Sequence, residues 1–191
     1  MESRGFPALA RPDARVLVLG SLPGAESLRQ RRYYAQTRNA FWPIMGELVG
    51  AGPALSYAAR VRRLLERRIA VWDVCARAFR AGSLDAAIER DSIVVNDFAP
   101  FLARHRELAL ICCNGAAAHD LYRRLVLPHL AGHAAALPLV RLPSTSPAHA
   151  ALPRAAKAGA WALVATVAGG GAPPIKMTSP PPARGTPSDT R

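Results

Sequence analysis

Four short, continuous apolar runs constrain this chain more than any other feature: residues 15–20 (RVLVLG), 69–74 (IAVWDV), 108–113 (LALICC) and 137–142 (LPLVRL). A strand open to water on one side alternates polar and apolar residues, so unbroken runs of this length bounded by turn residues read as strands covered on both faces. Between them lie stretches of helical character at 40–49, at 56–67 with Ser56 as N-cap, at 96–104, at 116–127 after a possible Asn114 cap, and at 154–167. Strands alternating with helices predict an α/β fold: a three-layer α/β/α sandwich around a mostly parallel, four-stranded sheet. A length of 191 residues, half of them hydrophobic, suits one domain with a substantial core. Residues 169–191 change character, with GGG, PP and PPP runs and little to bury; the expectation is a folded domain over 1–168 and a disordered tail over 169–191.

The formal charge of +12 favours a polyanionic partner, although an Ala- and Arg-heavy composition also arises from genomic base bias. The tail's Lys176, Arg184 and Arg191 against Asp189 account for +2 of it, so the folded part keeps about +10. Cys75, Cys112 and Cys113 are too few and too badly spaced for a disulfide framework or an iron–sulfur cluster, and read as small buried hydrophobes in a reducing compartment. No apolar stretch reaches the length of a signal segment or of a membrane span, which predicts a soluble, cytoplasmic protein with no membrane association.

Ligands of α/β sheets bind beyond the carboxyl ends of the strands, so the residues there are the first candidates for a site. GSLPG at 20–24 is a turn whose backbone N–H groups can face an anion or a base edge, or a plain strand-to-helix turn. YYAQTRNAFWP at 33–43 packs four aromatics with Arg38 and Asn39 into eleven residues. That mixture fits a pocket for an extruded nucleobase. It fits equally a helix start with Asn39 as cap and Phe41 and Trp42 in the core. Asn114 ends the third run, where its amide can match a base's donor and acceptor pattern or cap the next helix. LPSTSPAHA at 142–150 is a rigid loop rich in hydroxyls, suited to phosphate contact or to ordinary capping.

In this order and at these spacings, GSLPG (20–24), YYA…RNAFW (33–42), WDV (72–74), NDF (96–98), NGAAA (114–118) and LPSTSPAHA (142–150) resemble the motifs of the uracil-DNA glycosylase superfamily, and most of all its DNA-deoxyinosine (hypoxanthine-DNA) glycosylase branch. The resemblance spans about residues 5–168. It implies a monofunctional enzyme that flips a deaminated base out of DNA, clamps it, and lets water attack C1′, with neither metal nor cofactor. It implies Asn39 as the catalytic residue, with Gly20, Ser21, Phe41 and Asn114 holding the base and Phe41 stacking on it. Arg38, Ser144, Thr145, Ser146 and His149 are then the expected DNA contacts, and a monomer the expected state. The chain departs from the wider superfamily at Leu22, where mismatch-specific uracil enzymes carry a water-positioning Asn, and at Leu142, where classical uracil enzymes carry His.

Competing readings are a glycosylase for uracil or G·U mismatches, a non-catalytic binder of damaged bases, and a nucleoside hydrolase, which explains the basic core poorly. His105, His119, His129 and His133 lack metal-ligand spacing and read as surface or cap residues. Capping is also the expected work of Asp73 and Asp97, and Arg60, Arg62, Arg63, Arg67 and Arg68 read as a solvated helix face.

Overall fold

The structure is a computed structural model that describes residues 2–174. The expectation for 169–191 therefore lies, from residue 175 on, outside the described residues. Each of the four apolar runs forms a strand: β2 (Val16–Gly20), β3 (Ile69–Asp73), β6 (Leu110–Asn114) and β7 (Leu139–Leu142). They pair in parallel in the order β3-β2-β6-β7. Helices α1 (Ala25–Gln30), α2 (Phe41–Val49) and α3 (Tyr57–Glu66) connect β2 to β3. The path from β3 to β6 ends in α4 (Phe98–Arg104), and α5 (Ala116–Leu121) with α6 (Gly132–Ala136) carries the chain to β7. The last element is α7 (Arg154–Ala168).

Alternation along each strand sends side chains to two separate cores. Val16, Val18, Val71, Leu110 and Cys112 pack on one face with Phe41, Trp42, Ile44, Trp161 and Val164 of α2 and α7. Leu17, Leu19, Trp72, Ile111 and Cys113 pack on the other with Phe98, Phe101 and Tyr122. The adjacent Cys112 and Cys113 thus belong to opposite faces, and all three cysteines are free and buried. The result is the expected α/β/α sandwich.

Helix ends follow local chemistry in places. The Ser56 hydroxyl accepts from the Ala59 N–H at 3.3 Å and caps α3. Asn114 does not cap α5, whose cap residue is Gly115, and the expected 116–127 helix switches after Leu121 to a π-helical turn over Tyr122–Val126. Asp97 stands at the cap position of α4 without a side-chain bond to its backbone. His105 is buried, its Nδ1 2.7 Å from the Phe101 carbonyl.

A second sheet was not anticipated by the sequence: β1 (Glu2–Arg4), β4 (Cys75–Phe79) and β5 (Val94–Val95) form an antiparallel trio in the order β1-β4-β5. Chain direction turns from β3 into β4 at Val74, and this corner is bonded to the exit of β2. Val74 N–H donates to the Gly20 carbonyl at 2.8 Å and Cys75 N–H to the Ser21 carbonyl at 2.9 Å.

The chain steps from β2 to β3 on one side and then crosses back to β6 on the other, so the order of the strands reverses between β2 and β6. A crevice opens at such a switch point, beyond the carboxyl ends of the strands. Register places Gly20 beside Asp73, and Asn114 beside Leu142, along that edge.

Candidate active site

A cleft of about 470 Å³ sits at this edge. Gly20, Ser21, Arg38, Asn39, Asn114, Ser144, Thr145 and Ser146 all line it, joined by Tyr34 and Asp73. Segments separated by more than a hundred residues meet here through Thr145, which is 1% exposed. Its carbonyl accepts from the Ala40 N–H at 2.9 Å, tying the loop to the segment that bears Asn39. Its own N–H donates to Asn114 Oδ1 at 2.8 Å, and its hydroxyl accepts from Asn114 Nδ2 at 2.8 Å. A buried hydroxyl so engaged cannot reach a phosphate. The expected DNA contact at Thr145 is corrected to an internal one.

Those two bonds fix the orientation of Asn114. A backbone N–H can only donate, so the atom facing it must be the amide oxygen. Each end of the amide keeps one further capacity, a second hydrogen on Nδ2 and a second lone pair on Oδ1, in a known order. Asn39 is half-buried, and its Oδ1 accepts from the Phe41 N–H at 3.0 Å at the start of α2. That bond turns the amide and leaves Nδ2 as the donor for the cleft.

Phe41 is the second correction. It is 0% exposed, lies in the core against Trp42 and Trp161, and does not line the cleft. The aromatic ring at the cleft is Tyr34, stacked on Phe41 with centroids 3.9 Å apart and planes 24° apart. Tyr34 has φ +54°, uncommon for a residue with a side chain, and its buried hydroxyl lies near the Asn114 amide without a well-formed hydrogen bond. Burial pushes its ionisation far above the ordinary tyrosine range. His149 is exposed beside the cleft, faces a neighbouring cavity with Arg124 and Asp91, and its carbonyl accepts from Lys157 Nζ at 2.7 Å.

Ser21 donates to Asp85 Oδ1 at 2.5 Å. Buried Arg80 donates to the carbonyls of Leu22 and Pro23, holding the turn after β2 from behind. Leu22 packs with Cys75, Ala78 and Ile88, and Leu142 lies in the sheet core, so neither brings a polar group to the cleft. Asp73, expected to cap a neighbouring element, stands differently. It is 3% exposed, lines the cleft, caps nothing, and carries a carboxyl oxygen, Oδ2, with no partner. Burial first, then the neighbouring Asp85, push its pKa up to about 7 against the opposing pull of Arg80. The signal was there in an acid ending a wholly apolar run. Among the described residues no three His, Cys, Asp or Glu side chains group as metal ligands, and no helix is long and apolar enough to cross a membrane.

Gly115 explains the glycine after Asn114. Its φ is +97°, and a Cβ there would meet the Ser144 Cβ at 2.9 Å. Gly115→Ala is expected to cost roughly 1–3 kcal/mol through backbone strain alone and to push loop 143–147 off Asn114. Thermal melting together with turnover checks this; a variant as stable and as active as the parent would refute it.

The model of the Uracil DNA glycosylase superfamily matches residues 7–165, nearly the whole described chain. The chain belongs to the uracil DNA glycosylase superfamily. Within the superfamily it is similar to a protein of Methanosarcina acetivorans named hypoxanthine DNA glycosylase, 36% identical over 141 residues that cover 69% of this chain and 88% of that protein. It is also similar to a hypoxanthine DNA glycosylase of Methanosarcina barkeri, 32% identical over 120 residues, covering 60% of this chain and 72% of the relative. A solution NMR structure from Methanosarcina acetivorans, described as a candidate uracil DNA glycosylase, superposes with a TM-score of 0.71 at 32% identity and covers 86% of this chain and 97% of its own. As a superfamily member with such relatives the chain is a DNA glycosylase, and its macromolecular partner is DNA.

Proposed function

We propose that this enzyme is a monofunctional glycosylase that hydrolyses the N-glycosidic bond of a deaminated base flipped out of DNA, hypoxanthine foremost, as the first step of base excision repair. The observation that carries this reading is the locked amide of Asn114. Its remaining donor and acceptor suit a carbonyl next to a ring N–H, the edge that deamination creates. Adenine presents the reverse order, an amino group next to a bare nitrogen, and would leave buried groups unpaired. The names of the two relatives support hypoxanthine over the other bases that share this edge, uracil and xanthine.

The remaining groups fit a hydrolytic mechanism without a covalent amine intermediate. Lys157, the sole lysine of residues 1–168, donates to the His149 carbonyl and does not line the cleft. Asn39 offers its Nδ2 to the water or the departing base, and Arg38 stands exposed at the mouth for phosphate. Ser144 and Ser146 shape the loop that follows β7, Ser144 Oγ accepting from the Ser146 N–H at 3.2 Å.

Duplexes with a single hypoxanthine, uracil, xanthine or unmodified adenine, incubated with the protein and cleaved at abasic sites with alkali, test the reading. Expected is fastest release of hypoxanthine, with adenine slower by roughly 10⁴-fold or more. Faster release of uracil would replace hypoxanthine as the substrate, and no abasic product from any duplex would overturn the enzyme.

A further inference from the structure

We propose that Asp73, a buried carboxyl lining the cleft, is the acid that donates a proton to the departing purine. The inference rests on the glycosylase reading above and gives a catalytic role to the acid of the WDV motif at 72–74.

Geometry supplies the first reason. Asp73 ends β3 directly beside Gly20 of β2, and a Cβ on Gly20 would fall on its carboxyl group. The glycine therefore makes room for this side chain at the switch point of the sheet. Asn96 of the NDF segment donates from Nδ2 to the Asp73 carbonyl at 2.8 Å and from its N–H to the Val74 carbonyl at 2.9 Å, which fixes the strand end. The strand end is thus fixed by backbone bonds and the carboxyl group has room beside Gly20, yet Oδ2 is buried and bonded to nothing. An orphaned polar atom is costly in a folded interior. Asp73 itself lines the cleft, where a bound ligand can supply the partner that this oxygen lacks.

Charge supplies the second. The titratable groups around Asp73 are Asp85, Arg80, Tyr33, Tyr34 and Cys75. Asp85 repels a second negative charge. Arg80 attracts one but directs its hydrogen bonds to the carbonyls of Leu22 and Pro23. Burial keeps the two tyrosines and the cysteine neutral at any physiological pH. The balance favours the neutral acid, with a pKa near neutrality, which is where a general acid is most effective.

Chemistry supplies the third. When the C1′–N9 bond breaks, its electron pair leaves on the purine, and a proton on N3 or N7 neutralises that charge. The Asp73 O–H bond breaks as the new N–H bond forms. Water adds its oxygen to C1′, and its proton passes through solvent to restore the carboxyl group. The sum is hydrolysis, one water consumed for one base and one abasic sugar.

The experiment is a pH profile from 5.5 to 9 of single-turnover release of hypoxanthine, with enzyme saturating, for the full-length parent and for Asp73→Asn, a variant of nearly the same size that cannot transfer a proton. The parent rate should fall as pH rises through about 7, approaching tenfold per pH unit. Asp73→Asn should be slower below pH 7 by on the order of 10²-fold and should lose that inflection. Circular dichroism of both proteins confirms that the variant is folded. A variant that keeps the parent's rate within threefold, or keeps the inflection, overturns the role of Asp73 while leaving the glycosylase intact. A parent that releases no base from any lesion duplex overturns the substrate reading itself.

Discussion

Asn39→Ala is expected to slow single-turnover release of the base by on the order of 10²–10³-fold, the usual loss when one donor aimed at developing charge is removed. The side chain has two jobs that must be separated. Its Oδ1 accepts from the Phe41 N–H and so helps start α2, while the amide nitrogen faces the cleft. Loss of the first costs roughly 1 kcal/mol of stability, too little to unfold a domain with two cores of this size. Asn39→Asp separates them, because a carboxylate still accepts from the helix start and suits its positive end, but has no N–H to offer. The expectation is that Asp restores the melting temperature and not the rate, and that lesion DNA still binds both variants. A rate for Asn39→Ala within threefold of the parent would remove Asn39 from the mechanism.

The sheet was legible because its central strands are covered on both faces and so are almost wholly apolar, and all four runs were found within two residues of their true ends. The antiparallel trio was not, because β1 is Glu-Ser-Arg and pairs with β4 across about 75 residues, and β5 is two residues long; pairing made by backbone leaves no periodic mark. The same division runs through the site. Motif order led to Asn39, Asn114 and the 142–150 loop because the residue types themselves carry the chemistry. What each atom faces is a tertiary fact. Thr145 turned inward because the Ala40 N–H and both ends of the Asn114 amide needed partners, and no pattern in a serine–threonine loop distinguishes the one hydroxyl that does this. Phe41 sank into the core because it begins an amphipathic helix, with its neighbour Tyr34 laid over it at the cleft.

Asp73 was passed over for a related reason: an acid at a strand end most often caps something, and only the fold shows that this one caps nothing. Its burial has a thermodynamic consequence separate from its chemistry. Below pH 3.8 the carboxyl is protonated in folded and unfolded chains alike and contributes no pH dependence. Between 3.8 and about 7 the folded protein holds the proton and the unfolded chain has lost it, so stability falls as pH rises. Above about 7 both are ionised, and the fold bears the full cost of a buried, unpaired charge, at most roughly 4 kcal/mol. Asp73→Asn removes that cost. The variant is expected to match its parent near pH 4 and to melt higher at pH 8, by roughly 5–10 °C for a chain of this length. Denaturant and thermal melts of both proteins at the two pH values measure the difference directly. An equal difference at pH 4 and pH 8 would mean that Asp73 does not titrate where its surroundings place it. A variant that gains stability at alkaline pH as it loses activity would show that the enzyme keeps an uncomfortable acid in its core for the sake of the reaction.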